Sequence, residues 1–191
     1  MWGNSPQDYS NFCKKGIKHS SNGIIVDIGC GTLGFTSKIY AETILQDLYL
    51  CDLSLEMLRL GRIKLENKSK DMSSVTFMRS DALHMPFKDN IVQTVLSFGV
   101  FHIFDNPSRL LEEIVRILNP DGKLFISSLC TDRKWSAKYL KFLHKKGHVA
   151  KPLNSSEIMI IVEKSGIIIN ESKVKGGMIY ISGTKNTNTQ Y

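Results

Sequence analysis

The sequence predicts a single-domain α/β protein, a three-layer sandwich built on a seven-stranded, mostly parallel sheet with an antiparallel C-terminal hairpin strand. Three observations predict it. Short apolar runs rich in β-branched residues alternate with segments of helical periodicity from Ile24 to Ser128, the pattern of parallel strands joined by crossover helices. A glycine cluster, Gly29, Gly31 and Gly34, follows the first run, where a strand turns into a helix. A Gly176-Gly177 pair joins the last two runs and reads as a tight turn, which sets the strands on either side antiparallel.

Each element has its own signal. Ile24–Ile28 is a buried strand, and after the glycines Thr36–Leu48 reads as a helix. Leu48–Cys51 is the second strand. Ser54 can N-cap the next helix, whose Leu55, Leu58, Ile63 and Leu65 form an apolar stripe. Val75–Arg79 and Val92–Phe98 are strands three and four. A helix follows with Pro107 in its first turn and Leu110, Ile114, Ile117 and Leu118 on one face. Asn119-Pro-Asp-Gly122 stops it, and Lys123–Ser128 is strand five. A helix over Ser156–Lys164 ends at Gly166 and leads into strands Ile167–Lys175 and Met178–Thr184. Residues 1–22 read as a short N-terminal cap and 185–191 as a frayed tail.

The composition fits one globular domain of 191 residues, with 42% hydrophobic and 23% charged side chains. Neither an N-terminal apolar stretch after Met1 nor an uninterrupted run of eighteen apolar residues occurs, so a soluble, cytoplasmic protein is expected. Cys13, Cys30, Cys51 and Cys130 lack C-x-x-C spacing and read as reduced thiols. Without secretion, the N-x-S/T matches at Asn67, Asn154 and Asn170 carry no meaning. His144 and His148 stand at i, i+4 but lack the H-E-x-x-H acid, so no metal site is expected.

In open parallel sheets the ligand sits beyond the carboxyl ends of the strands, where the strand order reverses. The residues at those ends are the glycines after strand one, Asp52 after strand two, Asp81 after strand three and "SFGVFHIF" across the end of strand four. Asp52 lies 23 residues past Gly29, a spacing suited to a carboxylate that accepts both ribose hydroxyls, so an adenosine-containing ligand is implied. Gly29, Gly31 and Gly34 satisfy the dinucleotide spacing G-x-G-x-x-G, which keeps an NAD(P)-dependent oxidoreductase among the readings. Asp27 speaks against it. A diphosphate needs a helix N-terminus free of negative charge, whereas a carboxylate at the tip of strand one suits a cationic ligand. S-adenosylmethionine (SAM) brings two positive charges, an amino group and a sulfonium.

The successive segments "VDIGCGTLGFTSKI", "LCDLSLEMLRLGRIKL", "SDALHMPFKDN", "VLSFGVFHIF" and "LLEEIVRILNPDGKLFIS" resemble, in order and spacing, the motifs of the class I SAM-dependent methyltransferases. They are most similar to the type 11 branch, which includes ubiquinone and menaquinone biosynthesis enzymes. The resemblance runs from Gly23 to Ser128 and implies a Rossmann-like domain. By it, Asp27 with Gly29, Cys30 and Gly31 would hold the methionyl part of SAM. Asp52 would take the ribose hydroxyls and Leu53 would lie against the adenine, whose edge Asp81 and Ala82 would meet. Ser97, Phe98 and His102 would line the floor where donor and acceptor meet. The chain departs from the family where Leu33 replaces the usual third glycine, where Val92-Gln93 replaces Phe-Asp, and in the brevity of its N-terminal segment, which implies a more open site.

Several residues carry two readings. His102 is either a general base for a hydroxyl or amine acceptor or a histidine shaping the pocket wall. Asp52 can merely cap a helix, and Asp81 can be an Asx-turn residue. The segment 131–151 carries seven Lys/Arg against one Asp, with Trp135, Tyr139 and Phe142 at i, i+4, i+7. It reads as a solvated helix with its aromatic side on the core, as a lid for an acidic acceptor within a 131–154 substrate-side insertion, or as an RNA or anionic-membrane footprint. The expected activity is methyl transfer from SAM to a small-molecule acceptor, with S-adenosylhomocysteine as product. A SAM-binding protein without activity, or a partner subunit, is the non-enzymatic alternative.

Overall fold

A computed structural model describes residues 6–18, 23–43, 47–69 and 71–187. The elements run α1 (Pro6–Lys18), β1 (Ile24–Ile28), α2 (Ser37–Glu42), β2 (Asp47–Asp52), α3 (Leu55–Glu66), β3 (Val75–Arg79), β4 (Val92–Phe98), α4 (Pro107–Ile117), β5 (Leu118–Leu129), α5 (Lys134–Lys145), α6 (Ser155–Lys164), β6 (Ile167–Lys175) and β7 (Met178–Lys185). A short 3-10 turn over Phe101–Ile103 follows β4. The sheet order is β3-β2-β1-β4-β5-β7-β6. β1 to β5 are parallel, and β7 inserts antiparallel between β5 and β6, as the Gly-Gly turn requires.

Side chains alternate across each strand and feed two apolar layers. Val26, Ile28, Val95 and Ile126 pack against α4 and α6 through Leu110, Ile114, Ile158 and Val162. Ile25, Leu48, Leu50 and Leu96 face α1, α2 and α3 through Cys13, Ile17, Ile39 and Leu65. Caps follow the sequence. The Ser54 side chain accepts from the Met57 amide, Asn154 and Glu157 form a capping box on α6, and Pro107 opens α4.

Three elements differ from expectation. The helix after the glycines ends at Glu42, because Thr43 is already extended. β5 starts at Leu118, so Asn119–Gly122 is an excursion within the strand, spanned by the pairings Val92 with Leu118 and Thr94 with Lys123. There Asp121 is left-handed (φ 64°), and a Cβ on Gly122 would lie 2.8 Å from the Asn119 carbonyl oxygen. Gln93 accepts from the Asn119 side chain at 2.8 Å. The expected tail also begins later, since Lys185 pairs with Ile167 and bonds the Leu118 carbonyl, while 188–191 lie outside the described residues.

The N-terminal cap contains a 13-residue helix, α1, laid on β4 and β5. Its inner face is Tyr9, Phe12, Cys13, Gly16 and Ile17, spaced i, i+3, i+4, i+7, i+8. Gly16 permits the approach, since a Cβ there would lie 2.6 Å from Leu96 Cδ2 and 3.1 Å from Phe125 Cγ. Exposed ion pairs Lys15–Glu171 and Lys175–Asp8 join α1 to β6 and add little by themselves. Gly16→Val is therefore expected to destabilise the fold by about 1–3 kcal/mol through overpacking, read as a lower urea midpoint with an unchanged m-value.

Candidate functional site

The turn after β1 takes its shape from backbone. Gly29 (φ 71°) and Gly31 (φ 55°) are left-handed, and the Gly29 and Cys30 amides both donate to the Cys51 carbonyl at 2.8 and 3.0 Å. Gly34 needs no glycine conformation, whereas Leu33, at φ 53°, occupies the left-handed state that glycine ordinarily supplies. Burial holds it there: Leu33 is 1% exposed, and a Cβ on Gly61 of α3 would meet Leu33 Cγ at 3.3 Å and the Gly31 carbonyl oxygen at 3.0 Å. Gly61 lets the helix sit against the turn, and its only sequence signal is a glycine inside a helical pattern.

Three carboxylates come from the ends of three neighbouring strands, next to the β1/β4 junction where the order reverses. Asp27 is 2% exposed and accepts from the Tyr40 hydroxyl at 2.8 Å. Burial pushes its carboxyl up to about 7, with Tyr40 opposing and Asp52 adding to the rise. Burial beside Asp27 also raises the Tyr9, Cys13, Cys30 and Tyr40 protons well above their usual ranges, so these groups stay neutral. Asp52 accepts from the Gly31 amide through Oδ2 and from the Ser54 amide through Oδ1, each at 2.9 Å. It braces the glycine turn and keeps further lone pairs for other donors. Asp81 is exposed; Oδ1 accepts from the Leu83 amide at 2.9 Å in an Asx turn, and Oδ2 lies 3.6 Å from His84 Nδ1. Leu53 is 63% exposed, its carbonyl held by Arg79 Nε at 3.1 Å, and Ala82 packs partly into the core.

The remaining floor residues separate. Phe98 joins the layer containing Leu96, which pairs with Asp27, and its ring meets Tyr9 edge-on at 5.3 Å. Ser97 alternates to the other face and is wholly buried, its Oγ without a hydrogen-bond partner among the described residues. His102 Nδ1 accepts from the Leu129 amide at 3.4 Å, and the His102 carbonyl accepts from the Ala150 amide at 3.0 Å. Burial lowers the imidazole to about 4. The ring is thus neutral at physiological pH, and the Leu129 contact favours the tautomer with its proton on Nε2. The ring borders a cavity of about 250 Å³ shared with Phe104, Leu129, Leu140, Val149 and Leu153.

Sequence reasoning passed over Tyr40 and α1. Tyr9 stands against Phe35 and Phe98 at 5.3 Å each, and Ser10 Oγ donates to the Phe35 carbonyl at 3.1 Å, so α1 reaches over the glycine turn. The expectation of a more open site changes accordingly. A larger cavity, about 830 Å³, lies at the other end of the strands between Asn90, Arg116, Lys164 and Lys185. Size is a poor guide here, since that cavity holds neither the glycine turn nor the acidic strand ends.

A family model described as a methyltransferase domain matches residues 26–126, from β1 into β5. The chain belongs to the class I SAM-dependent methyltransferases, type 11. SAM is the cofactor of this family. The chain is 27% identical over 198 residues to an uncharacterised chloroplastic methyltransferase of Arabidopsis thaliana, covering 97% of this chain and 55% of the relative. It is 33% identical over 104 residues to a demethylmenaquinone methyltransferase of Paenarthrobacter aurescens, covering 54% and 37%. The chain thus spans about half or less of these curated relatives. Its fold superposes with a TM-score of 0.77 at 17% identity on the Haloferax volcanii methyltransferase of a complex with the Trm112 activator, covering 94% and 92%. No helix among the described residues is long and apolar enough to cross a membrane.

Proposed function

We propose that this methyltransferase moves the methyl group of SAM to an apolar small-molecule acceptor, leaving S-adenosylhomocysteine. One observation carries the reading: Asp27, buried near the tip of β1 just before a left-handed glycine turn, has one neutral donor among the described residues and room in its chemistry for a cation. In this reading Asp27 takes the SAM ammonium, with the Gly29, Cys30 and Gly31 backbone alongside the methionyl chain. Asp52 accepts the ribose hydroxyls, Leu53 and Ala82 flank the adenine, and Asp81 accepts from its amino group. Phe98 and Tyr9 close the donor side, and Ser97 supports from behind the sheet. SAM supplies an electrophilic methyl, so the protein's task is alignment and exclusion of water. His102 walls the acceptor side, where Phe104, Leu129, Leu140 and Leu153 support an apolar acceptor. The name of the Paenarthrobacter relative supports the same class. Four unpaired thiols support a reducing, cytoplasmic setting.

Calorimetric titration tests the donor. SAM and S-adenosylhomocysteine are expected to bind and NAD to give no heat; tight NAD binding without a response to SAM would end the reading. Radiolabelled SAM with a panel of apolar acceptors tests transfer. His102→Gln is expected to cost less than about tenfold in turnover with an unchanged pH profile from pH 5.5 to 8.5, whereas loss of a general base costs about 100-fold or more.

A further inference from the structure

The 131–151 segment folds around α5, and its aromatic residues are not in the core. Only Ser136 and Leu140 of this helix are buried, while Trp135, Tyr139 and Phe142 are 39%, 40% and 55% exposed. At 100° per residue these three rings fall in one stripe about 60° wide. Lys134, Lys138, Lys141 and Lys145 form a second row along one flank of that stripe, all exposed, and no ion pair ties any of them to an acidic side chain among the described residues. Lys146 lies 5.9 Å from the Phe142 ring centroid, which adds a fifth cation at the helix end. α5 itself carries no acid, and the neighbouring Asp132 is engaged by the Ser155 amide and hydroxyl. Leu140, which borders the His102 cavity, points more than 90° away from the lysine row, so these four lysines face away from that cavity, which Lys151 lines instead.

We infer that α5 is a docking surface for an anionic lipid bilayer, its Trp135-Tyr139-Phe142 stripe lying at the headgroup boundary and its lysine row against lipid phosphates. The chemistry favours lipid over nucleic acid in two ways. Amphipathic aromatic rings beside a lysine-rich face are the composition of helices that lie in the membrane interface. Phosphate recognition in nucleic acid favours the bidentate arginine fork, and the segment holds one arginine, Arg133, among seven cations. Leu140 and the His102 cavity lie on the inner side of this helix, which places the bilayer next to the proposed acceptor chamber. The inference goes beyond methyl transfer and does not depend on it.

The test is co-sedimentation of the full chain, without SAM or acceptor, with vesicles of phosphatidylcholine alone and of phosphatidylcholine mixed with phosphatidylglycerol. Binding is expected to the mixed vesicles, weakening steeply with added salt, with a blue shift of tryptophan emission that is reduced in Trp135→Phe. Charge reversal of Lys134, Lys138, Lys141 and Lys145 to Glu is expected to weaken binding by at least about 100-fold. Phe142→Asp should weaken it independently, and SAM affinity in each variant reports that the fold is intact. If the reversal variant misfolds, the same four lysines changed to Ala give the same reading at smaller amplitude. Equal binding to neutral and mixed vesicles, binding indifferent to the lysine changes, or displacement from vesicles by single-stranded RNA at lower concentration than by soluble phosphatidylglycerol would overturn it.

Discussion

Asp27→Ala is expected to weaken SAM binding by at least about 100-fold while leaving a folded protein, because it removes a charge-assisted pair from a dry site. Titration calorimetry on the variant reads this directly, and retention of near-native affinity would remove the central role of Asp27. The pH dependence is equally specific. In the ligand-free fold the Asp27 carboxyl sits at about 7 because it is buried, far above an unfolded value of 3.8. Between those values the folded chain holds a proton that the unfolded chain has lost, so this group's contribution to stability falls as pH rises from about 4 to 7 and is flat above. An ammonium beside the carboxylate favours its ionised form, so SAM binding releases a proton. SAM affinity should therefore rise as pH climbs through 7 and level off beyond it. Asp27→Asn should abolish that slope, weaken SAM, and raise the melting temperature of the ligand-free protein above pH 7.

Gly29→Ala is the second large effect. The position is left-handed at φ 71°, and an added Cβ would overlap Val100 Cγ2. The conformational cost and the overpacking together reach about 2–5 kcal/mol. The residue also sits where two amides share the Cys51 carbonyl, so any adjustment loosens the turn that Asp52 braces. Loss of SAM binding together with a lowered melting temperature is expected. Val100→Ala in the Gly29→Ala background should recover part of the stability, as it relieves the overlap but not the backbone strain. Full recovery would show that the left-handed conformation costs nothing at this position, and no recovery would place the whole cost in the backbone.

The parallel strands, the glycine turn and the acidic strand ends were legible because each rests on a local pattern: β-branched runs, fixed glycine spacing, a carboxylate just past an apolar stretch. What failed to read was long-range or parity-dependent. Tyr40 lies 13 residues from Asp27, and only the packing of α2 on the sheet turns its hydroxyl toward the carboxylate. Ser97 and Phe98 stand side by side in sequence and so face opposite sides, but which of them shares the face of Asp27 follows from the pairing of Asp27 with Leu96, and register between β1 and β4 is not written in either strand alone. α1 had the right spacing, but a glycine and a cysteine interrupt its apolar face and polar residues surround it. Gly16 reads as a helix weakener until the Leu96 and Phe125 side chains it admits are known. The aromatic spacing of α5 was plain, while the face it turned outward depended on which neighbour covered Leu140.

Leu33 ties the chemistry of the turn to the mass of the protein. A glycine there would hold its shape by backbone freedom alone; a leucine holds it only while α3 keeps the side chain sealed. Loosening of α3 thus releases the residue toward ordinary backbone angles, and the proposed grip on the nucleoside is expected to fail with it. Amides of the glycine turn should exchange with solvent in the same cooperative opening as those of α3, so cofactor retention under heat would track the global melt rather than precede it.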